Sequence, residues 1–92
     1  MVFTEAKLNQ TIQVLKRMGA TRVVLFGSCA TDPITAADVD LAVEGIPLAR
    51  LLDADVAVNA TLHAPTDLVS REENPAFYDI AVRYGKVLYE QS

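Results

Sequence analysis

Two aspartates one residue apart, Asp38 and Asp40, open the apolar run Val39-Asp40-Leu41-Ala42-Val43. In an extended strand alternate side chains share a face, so both carboxylates project to the same side. Carboxylates aimed together repel unless something cationic lies between them. A pair of Mg²⁺ ions about 3.5–4 Å apart is the usual solution in nucleotide chemistry. Mg²⁺ favours one or two carboxylates plus phosphate oxygens over a closed protein cage. Upstream, Gly27-Ser28 ends another apolar run. The glycine lets backbone approach a phosphate, a helical turn after it would aim N–H groups at the anion, and the Ser28 hydroxyl adds a donor. Two-metal reactions commonly draw on a further carboxylate to hold the catalytic metal or take the nucleophile's proton. Asp67, a lone acid between Pro65-Thr66 and Leu68-Val69, is the candidate, because the strand around it should be buried.

The elements that must position these groups follow from periodicity. Leu8, Ile12, Leu15 and Met18 recur at helical spacing, with Thr4 as N-cap and Gly19 as stop, predicting a helix from about residue 5 to 18. Arg22-Val23-Val24-Leu25-Phe26 reads as a buried strand ending at Gly27, and Asp32-Pro33 breaks the segment that follows. Val39–Val43 is a second strand, closed by Gly45. Pro47 opens a helix to about residue 62 with Leu48, Leu51, Leu52 and Val56 as its apolar face. Thr66–Ser70 is a third strand. Pro75 starts a last helix, with Phe77, Ile80, Ala81 and Tyr84 on one face, and Lys86–Tyr89 adds an edge strand. The expected fold is α+β in two layers, a small mixed sheet with helices on one face, in a single domain spanning residues 1–92. With strand, turn and strand in succession, Gly27 and the aspartates can share one sheet end.

Composition narrows the function. Ninety-two residues, 51% of them hydrophobic, suit one small domain near the lower limit of independent folding, so an obligate partner or an oligomer is compatible with size alone. A net charge of −4 and eight scattered basic residues argue against strong nucleic-acid binding. The lone cysteine, Cys29, excludes an internal disulfide. No apolar run approaches the roughly 20 residues of a membrane span, and no signal-peptide core opens the chain. A reducing cytoplasm is the expected setting.

The order Val-Val-Leu-Phe-Gly-Ser, then Asp-Val-Asp-Leu-Ala-Val, then Thr-Asp-Leu-Val resembles the DNA polymerase β-like nucleotidyltransferases. Within them it is most similar to the minimal nucleotidyltransferase (MNT) group, small domains often paired with HEPN proteins in toxin–antitoxin modules. The resemblance runs from Val23 to about Tyr89. It implies that Gly27 and Ser28 grip the phosphates of ATP or another NTP, and that Asp38, Asp40 and Asp67 form a catalytic triad holding two Mg²⁺ ions. The reaction it implies is transfer of a nucleoside monophosphate to a hydroxyl, with a HEPN partner as the expected acceptor, and release of pyrophosphate. Two departures stand out. Cys29-Ala30-Thr31 replaces the basic residues common after the serine, and Ala37 stands where a serine usually precedes the first aspartate. These motivate an alternative, a binding module that neutralises a HEPN partner by covering it.

The remaining polar and aromatic residues have plainer readings. Cys29 is a small packing residue and His63 a loop residue. Asp53 and Asp55 belong to a solvated helix face, and Glu72-Glu73 to a loop or cap before Pro75. Phe77, Tyr78 and Tyr84 are core or interface aromatics, and any that are exposed could meet a partner helix.

Overall fold

The computed structural model describes residues 4–27 and 38–91. Helix α1 (Glu5–Arg17) starts where the Thr4 hydroxyl accepts the Lys7 N–H at 3.1 Å, with Glu5 in its first turn and Lys16 and Arg17 in its last. That charge order complements the helix dipole. Strands β1 (Arg22–Phe26) and β2 (Val39–Glu44) pair antiparallel, Phe26 opposite Asp40. A short 3₁₀ turn (Leu48–Arg50) leads into α2 (Leu51–Leu62), which carries the chain to β3 (Thr66–Ser70), parallel to β2. A parallel pair needs such a crossover. Helix α3 (Pro75–Tyr84), with the Asn74 side chain accepting the Phe77 N–H, then returns the chain to β4 (Lys86–Glu90), antiparallel to β1. The strand order is β3-β2-β1-β4, so the mixed α+β sheet expected from sequence is present.

Strand alternation divides the core. Val23, Leu25, Val39, Leu41 and Val43 face Leu15, Ile46, Ala54, Val58 and Leu62 on the α1–α2 side. Val24 and Ala42 face the other way, against Tyr78 and Ala81 of α3. The expectation of helices on one face is therefore corrected. The consecutive buried residues Val23-Val24-Leu25 give the reason: an inner strand with an unbroken apolar run must be covered on both sides.

Two helices also bury a different stripe from the one expected. On α2 the buried residues are Ala54, Val58 and Leu62, while Leu48, Leu52 and Val56 are exposed. On α3 Tyr78 and Ala81 are buried, while Phe77, Ile80 and Tyr84 stay exposed. Each helix carries apolar residues on two flanks, and docking against the sheet selects one of them. His63 ends α2 in the left-handed region at φ 55°, a cap rather than an unstructured loop residue. Gly45, at φ 105°, passes so close to the first turn that a Cβ would lie 2.6 Å from the Gly19 carbonyl oxygen. No helix among the described residues is long and apolar enough to cross a membrane.

Candidate functional site

The end of β1 and the starts of β2 and β3 meet at one end of the sheet. Asp40 stands opposite Phe26 across the antiparallel ladder and beside Asp67 across the parallel one. β2 points its odd-numbered residues into the α1–α2 core, so Asp40 emerges on the α3 face, beyond the part that Tyr78 and Ala81 cover. Asp38, two residues earlier and exposed, leads the same side of the chain. Gly27 follows Phe26 at φ 74°, where an L side chain is strained, and a Cβ on it would overlap Oδ2 of Asp40 and lie 3.1 Å from its Cγ. The glycine thus lets backbone lie directly against the carboxylate.

The electrostatics mark Asp40 as the centre. Its carboxyl is held above the usual carboxylate range, chiefly by partial burial, then by the negative charges of Asp67 and Asp38, with a hydrogen bond to Asp67 adding to the effect. Converging acids that raise one another's affinity for protons also attract other positive charge. Their oxygens are the hard donors that Mg²⁺ takes. Among the described residues no group of three His, Cys, Asp or Glu side chains is already gathered as a metal cage. The arrangement is instead an open one, with Asp40 and Asp67 adjacent and Asp38 at the rim.

Ser28 and the Cys29-Ala30-Thr31 segment lie outside the described residues, as do Asp32-Pro33 and Ala37. Asp67 itself corrects an expectation. β3 is an edge strand, and Asp67 is exposed on it rather than an acid within a buried strand. The strand's start is secured by Asn59 of α2, whose side-chain amide accepts the Thr66 N–H at 3.0 Å and donates to the Thr66 carbonyl at 3.1 Å. That pairing occupies the outer edge of β3 immediately before Asp67.

An open cleft of about 640 Å³ adjoins the two carboxylates. Phe26 and Phe77 line part of it, their rings edge to face with centroids 5.8 Å apart. Leu48 and Leu52 line another part, and Asp55 and Glu73 add two more acids. By sequence Asp55 belongs to a solvated helix face and Glu73 to a loop or cap before Pro75, and both readings are compatible with the rim of an open cleft. The only hint of their position was the apolar pair Leu48 and Leu52 one helical turn apart, and that pattern fits a buried face equally well.

Comparison with known proteins bears on the fold. No family model matches the sequence, and no curated protein does. Solved structures do match. One assigned to the minimal nucleotidyltransferases is 26% identical, with a TM-score of 0.72 over 87% of each chain. A toxin–antitoxin structure with AMP-PNP is 21% identical, with a TM-score of 0.75 over 91% of this chain and 73% of that one. A tri-AMPylated Shewanella oneidensis HEPN toxin in complex with an MNT antitoxin matches at 20% identity, with a TM-score of 0.72 over 95% of this chain and 72% of that one. The last two speak for the fold.

Proposed function

We propose that this chain, which belongs to the minimal nucleotidyltransferases, moves a nucleoside monophosphate, AMP from ATP in the first instance, to a hydroxyl group on a HEPN protein partner. The observation that carries this reading is the juxtaposition of Asp40 and Asp67 across the β2–β3 ladder, with Gly27 backbone against Asp40. The whole of residues 1–92 is read as one catalytic domain working in the cytoplasm.

Asp38, Asp40 and Asp67 would hold two Mg²⁺ ions, which supply charge neutralisation on the triphosphate. Gly27, and Ser28 after it, give the phosphates a close backbone approach and a hydroxyl donor. Asp67, exposed on the edge strand, faces the side from which an acceptor can arrive and is placed to take its proton. The acceptor oxygen loses that proton and bonds to the α-phosphorus. The bond from the α-phosphorus to the bridging oxygen breaks, and pyrophosphate leaves with its electron pair. Labelled ATP, Mg²⁺ and a HEPN partner should give labelled partner, and Asp38→Ala with Asp40→Ala should abolish it. Transfer that persists in the double variant would overturn the reading.

A second reading is motivated by Cys29-Ala30-Thr31, which offers a triphosphate no cation, and by the exposed stripe Phe77, Ile80 and Tyr84 on α3. In it the chain neutralises its partner by covering it. Neutralisation that survives the double aspartate variant supports covering. Its loss with the complex intact supports catalysis.

A further inference from the structure

The cleft beside Asp40 and Asp67 carries features that phosphate binding does not use. Leu52 is 74% exposed, Leu48 56% and Phe77 43%, so its rim is apolar although water reaches it. Asp40 and Asp67 are committed to the proposed metal ions, which leaves Asp55 and Glu73 as the free acids of its lining, and no Lys, Arg or His among the described residues joins them. A nucleic-acid strand would bring phosphates against those acids, whereas a polypeptide with basic and apolar side chains complements both parts of the lining.

The sheet edge supplies the third feature. Val39 N–H donates to the Pro65 carbonyl and Arg71 N–H to the Val43 carbonyl, both at 2.9 Å. These bonds turn the backbone of odd-numbered β3 residues toward β2 and that of Thr66, Leu68 and Ser70 outward. The Asn59 amide takes both Thr66 groups, and Asn74 N–H takes the Ser70 carbonyl at 2.9 Å. The N–H and C=O of Leu68 are left facing outward, with no hydrogen-bond partner among the described residues, and Leu68 lines the cleft. The N–H and C=O of Leu68 form the kind of sheet-edge pair that an extended peptide takes.

We infer that this cleft is the acceptor channel, and that it takes an extended polypeptide segment rich in basic and apolar residues, paired to the Leu68 backbone at the open middle of β3. The segment's hydroxyl then arrives beside Asp67. This deepens the nucleotidyltransferase reading, on which the role of the hydroxyl rests, while the docking itself is measurable without turnover.

Fluorescence anisotropy on the whole chain tests it with three probes: a short labelled peptide of Lys, Leu and Tyr, the same peptide with Glu for Lys, and a single-stranded RNA of equal length. The Lys peptide should bind. Its affinity should fall about tenfold or more in Asp55→Asn/Glu73→Lys, which should gain the Glu peptide. Leu52→Ser, at a site too exposed to unsettle the core, should also weaken binding. Glu5→Lys/Glu90→Lys, a comparable charge change away from the cleft, should leave it unchanged. Equal loss in that control, no peptide binding, or preference for RNA overturns the channel. A peptide that binds but accepts no AMP supports the channel and counts against turnover.

Discussion

Gly27 lies so close against Asp40 that a single added methyl group would overlap the carboxylate oxygen Oδ2. Gly27→Ala should therefore act twice. The backbone at φ 74° disfavours an L residue by about 1–2 kcal/mol, and the new Cβ displaces Asp40. Thermal melts should show the first effect, and calorimetric titration with Mg-ATP should show weakened binding beyond it. A variant that melts lower yet binds Mg-ATP normally would separate the turn from the site.

The raised proton affinity of Asp40 predicts a pH-dependent stability. A carboxyl whose folded pKa exceeds its unfolded value keeps its proton longer in the native state, so stability falls as pH rises from the unfolded value through the folded one. Asp40→Asn should melt a few degrees above wild type at neutral pH. That advantage should vanish below the ordinary carboxylate range, where Asp40 is protonated in both states. Added Mg²⁺ should raise the Tm of wild type more than that of the variant. A pH-independent difference between the two would count against charge repulsion as its cause.

Asn59→Ala removes both hydrogen bonds that hold Thr66 at the start of β3. A loss of roughly 1–3 kcal/mol is expected, because the Thr66 side chain and edge groups are largely enclosed there. Since Asp67 follows Thr66 directly, nucleotide transfer should fall more than stability does. Hydrogen exchange at the β3 amides should rise first.

The buried Tyr78 hydroxyl has Arg22 and Glu44 within polar reach but makes no hydrogen bond of good geometry among the described residues. Tyr78→Phe should be close to neutral at pH 7, since a buried hydroxyl without a well-formed hydrogen bond has little to lose. Burial first, and then Glu44, raise the Tyr78 pKa above that of a free tyrosine. Wild type should therefore lose stability as pH climbs through the tyrosine range, and the phenylalanine variant should lose less. Urea unfolding at neutral and alkaline pH checks both signs.

Exposure on α3 allows a separation of folding from association. Ile80→Asp and Tyr84→Ser should shift stability by no more than about 0.5 kcal/mol. If the helix meets a HEPN partner, co-purification of the complex should drop while the melting curve stays in place.

Much of the scaffold was legible in residue order. Thr4, Gly27, Gly45, Pro47, Pro75 and Gly85 punctuate the chain, and the elements between them start and stop within a residue or two of the expected positions, except that Pro47 opens a 3₁₀ turn and α2 itself begins only at Leu51. Those signals are local: a cap, a fixed φ and an apolar period act within a few residues. For the same reason the Asp38-x-Asp40 spacing already implied a shared face, and Asp67 could be nominated as a third acid.

What only the tertiary structure decided involves residues far apart in sequence. The register that sets Asp67 beside Asp40 depends on the β2–α2–β3 crossover, and the contact of Gly27 with Asp40 depends on the β1–β2 ladder. The choice of buried flank on α2 and α3 was equally hidden, because both flanks are apolar and periodicity is blind to what docks against them. The cleft is a product of that choice. Leaving Leu48, Leu52 and Phe77 exposed, the fold draws Asp55 and Glu73 to the edge where Asp40 and Asp67 meet. Local chemistry wrote the acids and the turns, and long-range packing brought them together.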